Sequence, residues 1–472
     1  MPQPESPMMT LDVPPPGKRA SHLQSTRAIT MTRRRAASIF RYALIALVLP
    51  FTTLGGCGPQ QLIATPNLYA SGAVPAFSEL PPALQTDYVD VLFATDRGIE
   101  KTEDEALAYG AERSPSLAFG ICRVKLGQGM SWDAIVADSR AARRQAGIPI
   151  TVESITELGR LPASPYPREM GTDGPSIPLA LREEIDRQVG AFQSELAALL
   201  RQSPRKEALI FVHGFNNSFE DAVIRAAELS HILGREFVPI MYSWPAGSGG
   251  GFLRGYQHDI ESAEFTIYHF KEFLRAVADT PGLERIHILA HSRGNVMLTS
   301  AIREIFLEEG GVPRVADFRR RYKLHNVILA AADLDMEVAQ QRVVAEGVGL
   351  GVERITIYIC ASDKALDLSS WLFQSVARLG QIQQKQFEAM SSKVQNRKAL
   401  TIIDARVRDG LLTHSYFLDS PAVSSDLVLL IRFDREPGAE HGRPLTNATA
   451  NFWSISPDYP KFGDTDAAQL DQ

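Results

Sequence analysis

The stretch Leu289-Ala290-His291-Ser292-Arg293-Gly294-Asn295 decides the reading of this chain. An aliphatic run from Arg285 to Leu289 leads into it, and a helical run from Asn295 to Glu308 leads out. This pattern predicts a strand, a tight turn and a helix, with a serine at the apex. A serine there is exposed to attack a substrate only if the turn is strained, and the residues around it must be small for strand and helix to approach. Ala290 and Gly294 meet that requirement, in the pattern of a nucleophile elbow. A serine at a strand end also serves as a helix N-cap, so the assignment depends on partners elsewhere in the chain.

Working outward, six apolar strands are expected at Ala208–His213, Phe237–Ser243, Ile286–Ala290, Asn326–Ala331, Arg354–Ile359 and Leu400–Ile403. Helical runs are expected at Ser218–Gly234, Tyr256–Ala278, Asn295–Glu308, Met336–Glu346, Leu368–Ser391 and Ser415–Phe433. The alternation implies an α/β fold, a mostly parallel twisted sheet with helices on both faces. Before it, Asp87–Thr95 and Leu117–Leu126 read as strands and Pro178–Gln202 as a helix, while Ser131–Gly159 is ambiguous.

Ser292 needs a base, an acid that orients the base, and donors for an oxyanion. With an elbow of this kind the expected chain order is serine, acid, histidine. His414 follows the last expected strand and is the candidate base. Asp363 lies just past the strand Arg354–Ile359 and is the preferred acid. Asp333 is the alternative, and either Asp333 or Asp335 is expected to cap a helix. The turn His213-Gly214-Phe215-Asn216-Asn217 follows a strand end, so the amides of Phe215 and Arg293 are the expected oxyanion donors. Ser243–Gly251 is a glycine-rich connector that could line the site, and Asp259 reads as a charge in a helix opening. No metal-ligand spacing or nucleotide fingerprint occurs, so neither metal nor cofactor is expected.

The chain has 472 residues, 44% hydrophobic and 22% charged, with a formal net charge of −6. That composition is globular, and the lack of basic excess argues against nucleic acid as a partner. Of the three cysteines, Cys122 and Cys360 lie in apolar runs and are expected as core thiols. Residues 1–57 read as a signal segment. Arg33-Arg34-Arg35 precedes the apolar run Ala43–Phe51, and Leu54-Gly55-Gly56-Cys57 looks like a bacterial lipobox, with Met31 as an alternative start. The expectation is lipidation at Cys57, which would anchor the chain to a bacterial membrane facing the periplasm or exterior. Residues 58–86 read as a tether and 434–472 as a peripheral tail, leaving one domain over 87–433.

Taken in order, FVHGFNNSF, YSWPAGSG, LAHSRGN, AADLD, ASDKALDLS and HSYF resemble the bacterial α/β-hydrolase family catalogued as a domain of unknown function, DUF900. YVDVLFATDR and LAFGICRVKL are similar to its N-terminal strands. The resemblance implies an α/β-hydrolase fold and a hydrolase, without naming a substrate. Arg293 is bulkier than the residue the family usually places after the serine. The expected function is hydrolysis of a small-molecule or lipid carboxylic ester. A thioesterase or amidase, or a non-catalytic envelope scaffold, are the rival readings.

Overall fold

The computed structural model describes residues 60–462, except 102–105, 145, 173, 250–251, 361–362, 364–365, 367–377, 386–399, 406–412 and 450. The expected signal segment and Cys57 lie outside the described residues.

Fourteen strands occur among the described residues. In chain order they are β1 Gln60–Gln61, β2 Tyr88–Glu100, β3 Ala108–Leu126, β4 Pro149–Arg160, β5 Glu169–Gly171, β6 Gly174–Ser176 and β7 Glu207–Val212. They continue as β8 Val238–Ser243, β9 Arg285–His291, β10 Leu324–Ala330, β11 Arg354–Ile359, β12 Leu400–Asp404, β13 Thr446–Thr449 and β14 Phe452–Ser454. Twelve of them form one sheet in the order β1-β4-β3-β2-β8-β7-β9-β10-β11-β12-β14-β13. From β2 across to β14 neighbouring strands are parallel, and the two ends of the sheet are antiparallel.

The expected parallel strands are all present, because a strand buried on both faces reads as an unbroken apolar run. Every residue of β7 is buried. Its alternate side chains enter opposite layers: Leu209 and Phe211 pack on one face, Ile210 and Val212 on the other. Helices Phe219–Ile232 and Gly294–Glu308 cover opposite faces.

Several expectations are corrected. The tether over 58–86 is packed onto the body from residue 60. Leu68 and Ala76 are fully buried, and the Tyr69 hydroxyl donates to the carbonyl of Ile232 (2.6 Å). Prolines break this segment into pieces too short to show a period, yet its apolar side chains still find the core. The tail over 434–472 is not peripheral either, since β14 adds a parallel strand beside β12 and Arg443 is fully buried. The ambiguous stretch holds helix Trp132–Arg140, capped by Ser131, followed by β4. The expected helix Ser415–Phe433 is broken into Tyr416–Asp419, Pro421–Leu427 and a wider turn, Val428–Arg432. Pro421 has no N–H to continue the first piece. Met336–Glu346 likewise begins as helix and widens at Gln340–Ala345. Of the expected helix Leu368–Ser391, most lies outside the described residues, and Leu379–Gln381 is a 3-10 turn. Cys122 and Cys360 are buried, as expected of core thiols. Among the described residues no helix is long and apolar enough to cross a membrane.

The tail is pinned by a buried ion pair. Arg443 donates to Asp426 through Nε (2.8 Å) and Nη2 (2.7 Å), and both side chains are inaccessible. The hydroxyls of Tyr358 and Tyr459 also donate to Asp426, at 2.6 and 2.7 Å. Removing one member of such a pair strands the other charge. Arg443→Ala should therefore lower unfolding free energy by about 3–5 kcal/mol in urea titration. A loss below about 1 kcal/mol would show that the pair is not holding the tail.

Among the described residues, three of the buried histidines are pushed strongly toward the neutral form. His213 is pushed down to about 3 by burial and by Arg97. His231 and His291 are held well below the ordinary range, first by burial and then by Arg235 and His414 respectively. Below the usual histidine value near 6.5 the unfolded chain takes up protons that the folded chain refuses, so stability falls as pH falls. The slope should be about 1.4 kcal/mol per pH unit for each such histidine, persisting toward about pH 3 for His213. Urea unfolding at pH 7.5, 6 and 5 checks this, and a flat profile would contradict it.

Candidate active site

Ser292 stands at the turn between β9 and helix Gly294–Glu308, with φ of +51°. A non-glycine residue there is strained by about 1–3 kcal/mol, so the surroundings must hold it. The Ser292 N–H donates to the carbonyl of Ala330 (2.9 Å). The Ser292 carbonyl accepts from the Asn295 N–H (3.2 Å), the Asn295 side-chain amide (2.9 Å) and the Asp333 N–H (3.3 Å). Two glycines allow the close approach around it. A Cβ on Gly294 would lie 2.4 Å from the His213 carbonyl oxygen, and one on Gly214 would lie 2.8 Å from the Ser292 Cβ.

His414 lies in a short turn, Thr413–Ser415, between β12 and helix Tyr416–Asp419. Its Nε2 is 2.7 Å from the Ser292 hydroxyl oxygen. Its Nδ1 is 2.8 Å from Asp363 Oδ2. With Nδ1–H donated to the carboxylate, Nε2 presents a lone pair to the serine hydroxyl. Asp363 is fully buried, and its Oδ1 accepts from the Leu366 N–H (3.3 Å). Neutral His291 donates from Nε2 to the His414 carbonyl (3.1 Å), which fixes the backbone of the candidate base. The Tyr416 hydroxyl donates to the Tyr358 carbonyl (2.7 Å) and accepts from the Ala331 N–H (3.2 Å).

Asp333 does not meet the histidine. Its Oδ2 accepts from the Tyr256 hydroxyl (2.8 Å) and lies 3.5 Å from Arg293 Nη1, while its Oδ1 lies 3.3 Å from Arg378 Nε. Asp335 caps helix Met336–Ala339, accepting from the N–H groups of Glu337 and Val338.

Phe215 follows β7, in the turn that faces Ser292 across Gly214. Two buried residues absent from the site's sequence motifs shape this turn. Asp259 is more than a helix charge. It accepts from the Asn216 N–H (2.9 Å) with Oδ2 and from the Gly247 N–H (3.1 Å) with Oδ1. One carboxylate thus clasps the turn after β7 to the loop after β8. Burial raises its pKa against these bonds. Arg97 grips the same two loops from behind. It donates to the carbonyls of Asn217 (2.7 Å) and Ala246 (2.9 Å) and to the Ser243 hydroxyl (2.8 Å). Burial brings its pKa down to about 10. His213 is locked beside it, accepting from the Trp244 N–H (3.1 Å), with its ring stacked on the indole. The loop groups that Asp259 holds, and most of those that Arg97 holds, are backbone groups, which leave no trace in side-chain identity. Of the expected connector, Gly250 and Gly251 lie outside the described residues.

No curated protein matches the chain. Among solved structures, one similar chain is a lipase-esterase related protein from Clostridium acetobutylicum ATCC 824. It is 9% identical over 48% of this chain and 94% of that one, with a TM-score of 0.25. Another is a hyperthermophilic esterase from the archaeon Pyrobaculum calidifontis. It is 10% identical over 49% of this chain and 76% of that one, with a TM-score of 0.24. The family model for alpha/beta hydrolase of unknown function (DUF900) matches residues 188–432, from the helix before β7 to the turn beyond His414. With that match, and with a parallel sheet carrying a strained serine between β9 and its following helix, the chain belongs to the DUF900 family of α/β-hydrolases.

Proposed function

We propose that this protein is a serine hydrolase acting on carboxylic esters. The observation that carries the reading is the unbroken hydrogen-bonded chain from Ser292 Oγ through His414 to Asp363 (2.7 and 2.8 Å). In this mechanism His414 Nε2 takes the serine proton as Oγ attacks the ester carbonyl. Asp363 holds the ring in the required tautomer and stabilises the imidazolium. The amides of Phe215 and Arg293 take the developing oxyanion. His414 then returns the proton to the leaving alcohol, and water repeats the cycle on the acyl-enzyme. Asp259 is a positioning residue, since it sets the turn that carries Phe215. Lipidation of Cys57 and attachment to a bacterial envelope membrane belong to the same proposal, and the intact mass of membrane-extracted protein tests them.

Hydrolysis of p-nitrophenyl butyrate should fall by three or more orders of magnitude in Ser292→Ala, and fluorophosphonate labelling should vanish. Equal rates in wild type and variant would overturn the assignment. On the same assay Asp363→Asn should cost up to about 10⁴-fold in kcat, far more than Asp333→Asn. The reverse ranking would exchange the two carboxylates. Asp259→Asn should lower kcat by about tenfold or more while fluorophosphonate labelling persists at a reduced rate, because the oxyanion donors lose their setting but the nucleophile does not. An unchanged kcat would remove Asp259 from the positioning role.

A further inference from the structure

The side chain of Arg293, next to the candidate nucleophile, joins a small cluster. Its guanidinium carbon lies 5.3 Å from the Tyr256 ring centroid, and its Nη1 lies 3.5 Å from Asp333 Oδ2. Arg378 reaches the other oxygen of the same carboxylate, with Nε 3.3 Å from Oδ1. Arg378 is brought there by backbone pairing. The Leu379 N–H donates to the Leu334 carbonyl (2.8 Å), and the Gly380 N–H donates to the Ala332 carbonyl (3.0 Å). In these contacts two guanidiniums share one carboxylate. The two arginine side chains are only 12% and 9% exposed, and Arg293 Nε has no hydrogen-bond partner.

That arrangement is costly without an acceptor. A buried guanidinium donor left unpaired forfeits its hydration, and one carboxylate neutralises one of two positive charges. The cluster is also tied to both sides of Ser292. The Asp333 N–H donates to the Ser292 carbonyl (3.3 Å), and the Tyr256 ring packs 5.3 Å from that of Phe215. A substrate group entering beside the serine therefore meets a positive, partly desolvated wall. Guanidinium forks match the oxygens of carboxylates and phosphates, and desolvation strengthens that attraction.

We propose that Arg293 and Arg378, bridged by Asp333, form a subsite beside Ser292 for an anionic oxygen group, carboxylate or phosphate, carried by the substrate ester. The inference rests on the ester-hydrolase reading and narrows its substrate class to negatively charged esters. It gives a role to the bulky residue that follows the serine in this chain.

The experiment compares three p-nitrophenyl or chromogenic esters of matched acyl length: one neutral, one bearing a carboxylate and one bearing a phosphate. Wild type, Arg378→Gln and Arg378→Lys are assayed in low salt and in 0.5 M KCl, with Ser292→Ala as control. At least one anionic ester should exceed the neutral one by about tenfold or more in kcat/KM, and the advantage should shrink in salt. Which anionic ester leads identifies the source of the oxygens. Arg378→Gln should cut the anionic-to-neutral ratio by about tenfold, and Arg378→Lys should restore part of it. Ser292-dependent hydrolysis with no anionic advantage in wild type overturns this proposal and leaves the ester-hydrolase reading standing. An equal loss on all three esters in Arg378→Gln also overturns it, since the pair would then serve the fold or the oxyanion. Absence of Ser292-dependent hydrolysis of any ester overturns both readings. The wild-type comparison decides the matter even if the variants fail to fold.

Discussion

The site depends on a serine held in a backbone conformation it would not adopt alone. Ser292 at φ of +51° is kept there by bonds to β10, to its own helix and to the loop after β10. In that conformation the hydroxyl oxygen lies 2.7 Å from His414 Nε2. The same turn is pressed so closely against the end of β7 that Gly214 and Gly294 leave no room for a Cβ. Elbow and neighbouring turn are therefore set against each other by contact, and neither can shift alone.

Behind this contact lies a second tier of buried polar groups. Asp259 and Arg97 carry opposite charges and grip the same two loops, but through backbone atoms rather than through each other. Backbone groups in loops that sink toward a core must be satisfied somewhere. Here a carboxylate takes the N–H groups and a guanidinium takes the carbonyls. The division of labour gives the loops a defined position without regular secondary structure. Neutral His291 does the same for the turn that carries His414.

The parallel core was legible in the sequence because its strands are buried on both faces and stand out as apolar runs. Ser292, Asp363 and His414, which the structure brings within hydrogen-bond distance, could be picked out because each is a polar side chain that follows a strand, in an order that chemistry constrains. Asp259 and Arg97 were not. The loop groups they hold are mostly backbone groups up to 149 residues away, and nothing local distinguishes Asp259 from an ordinary helix charge. Residues 60–86 and 434–462 were misread for a related reason. Their apolar residues fall between prolines and polar residues without a period, so their burial is a property of the assembled fold.

The C-terminal strands also settle how the sheet ends. Without β14, the row of backbone donors and acceptors along β12, Leu400-Thr-Ile-Ile-Asp404, would face outward as a template for another chain. β14 occupies that row, and β13 then reverses direction and closes the margin with Thr446-Asn447-Ala448-Thr449, short, mostly polar and exposed. The buried Arg443–Asp426 pair, anchoring the tail before it reaches the sheet, therefore acts as a guard against strand-to-strand aggregation.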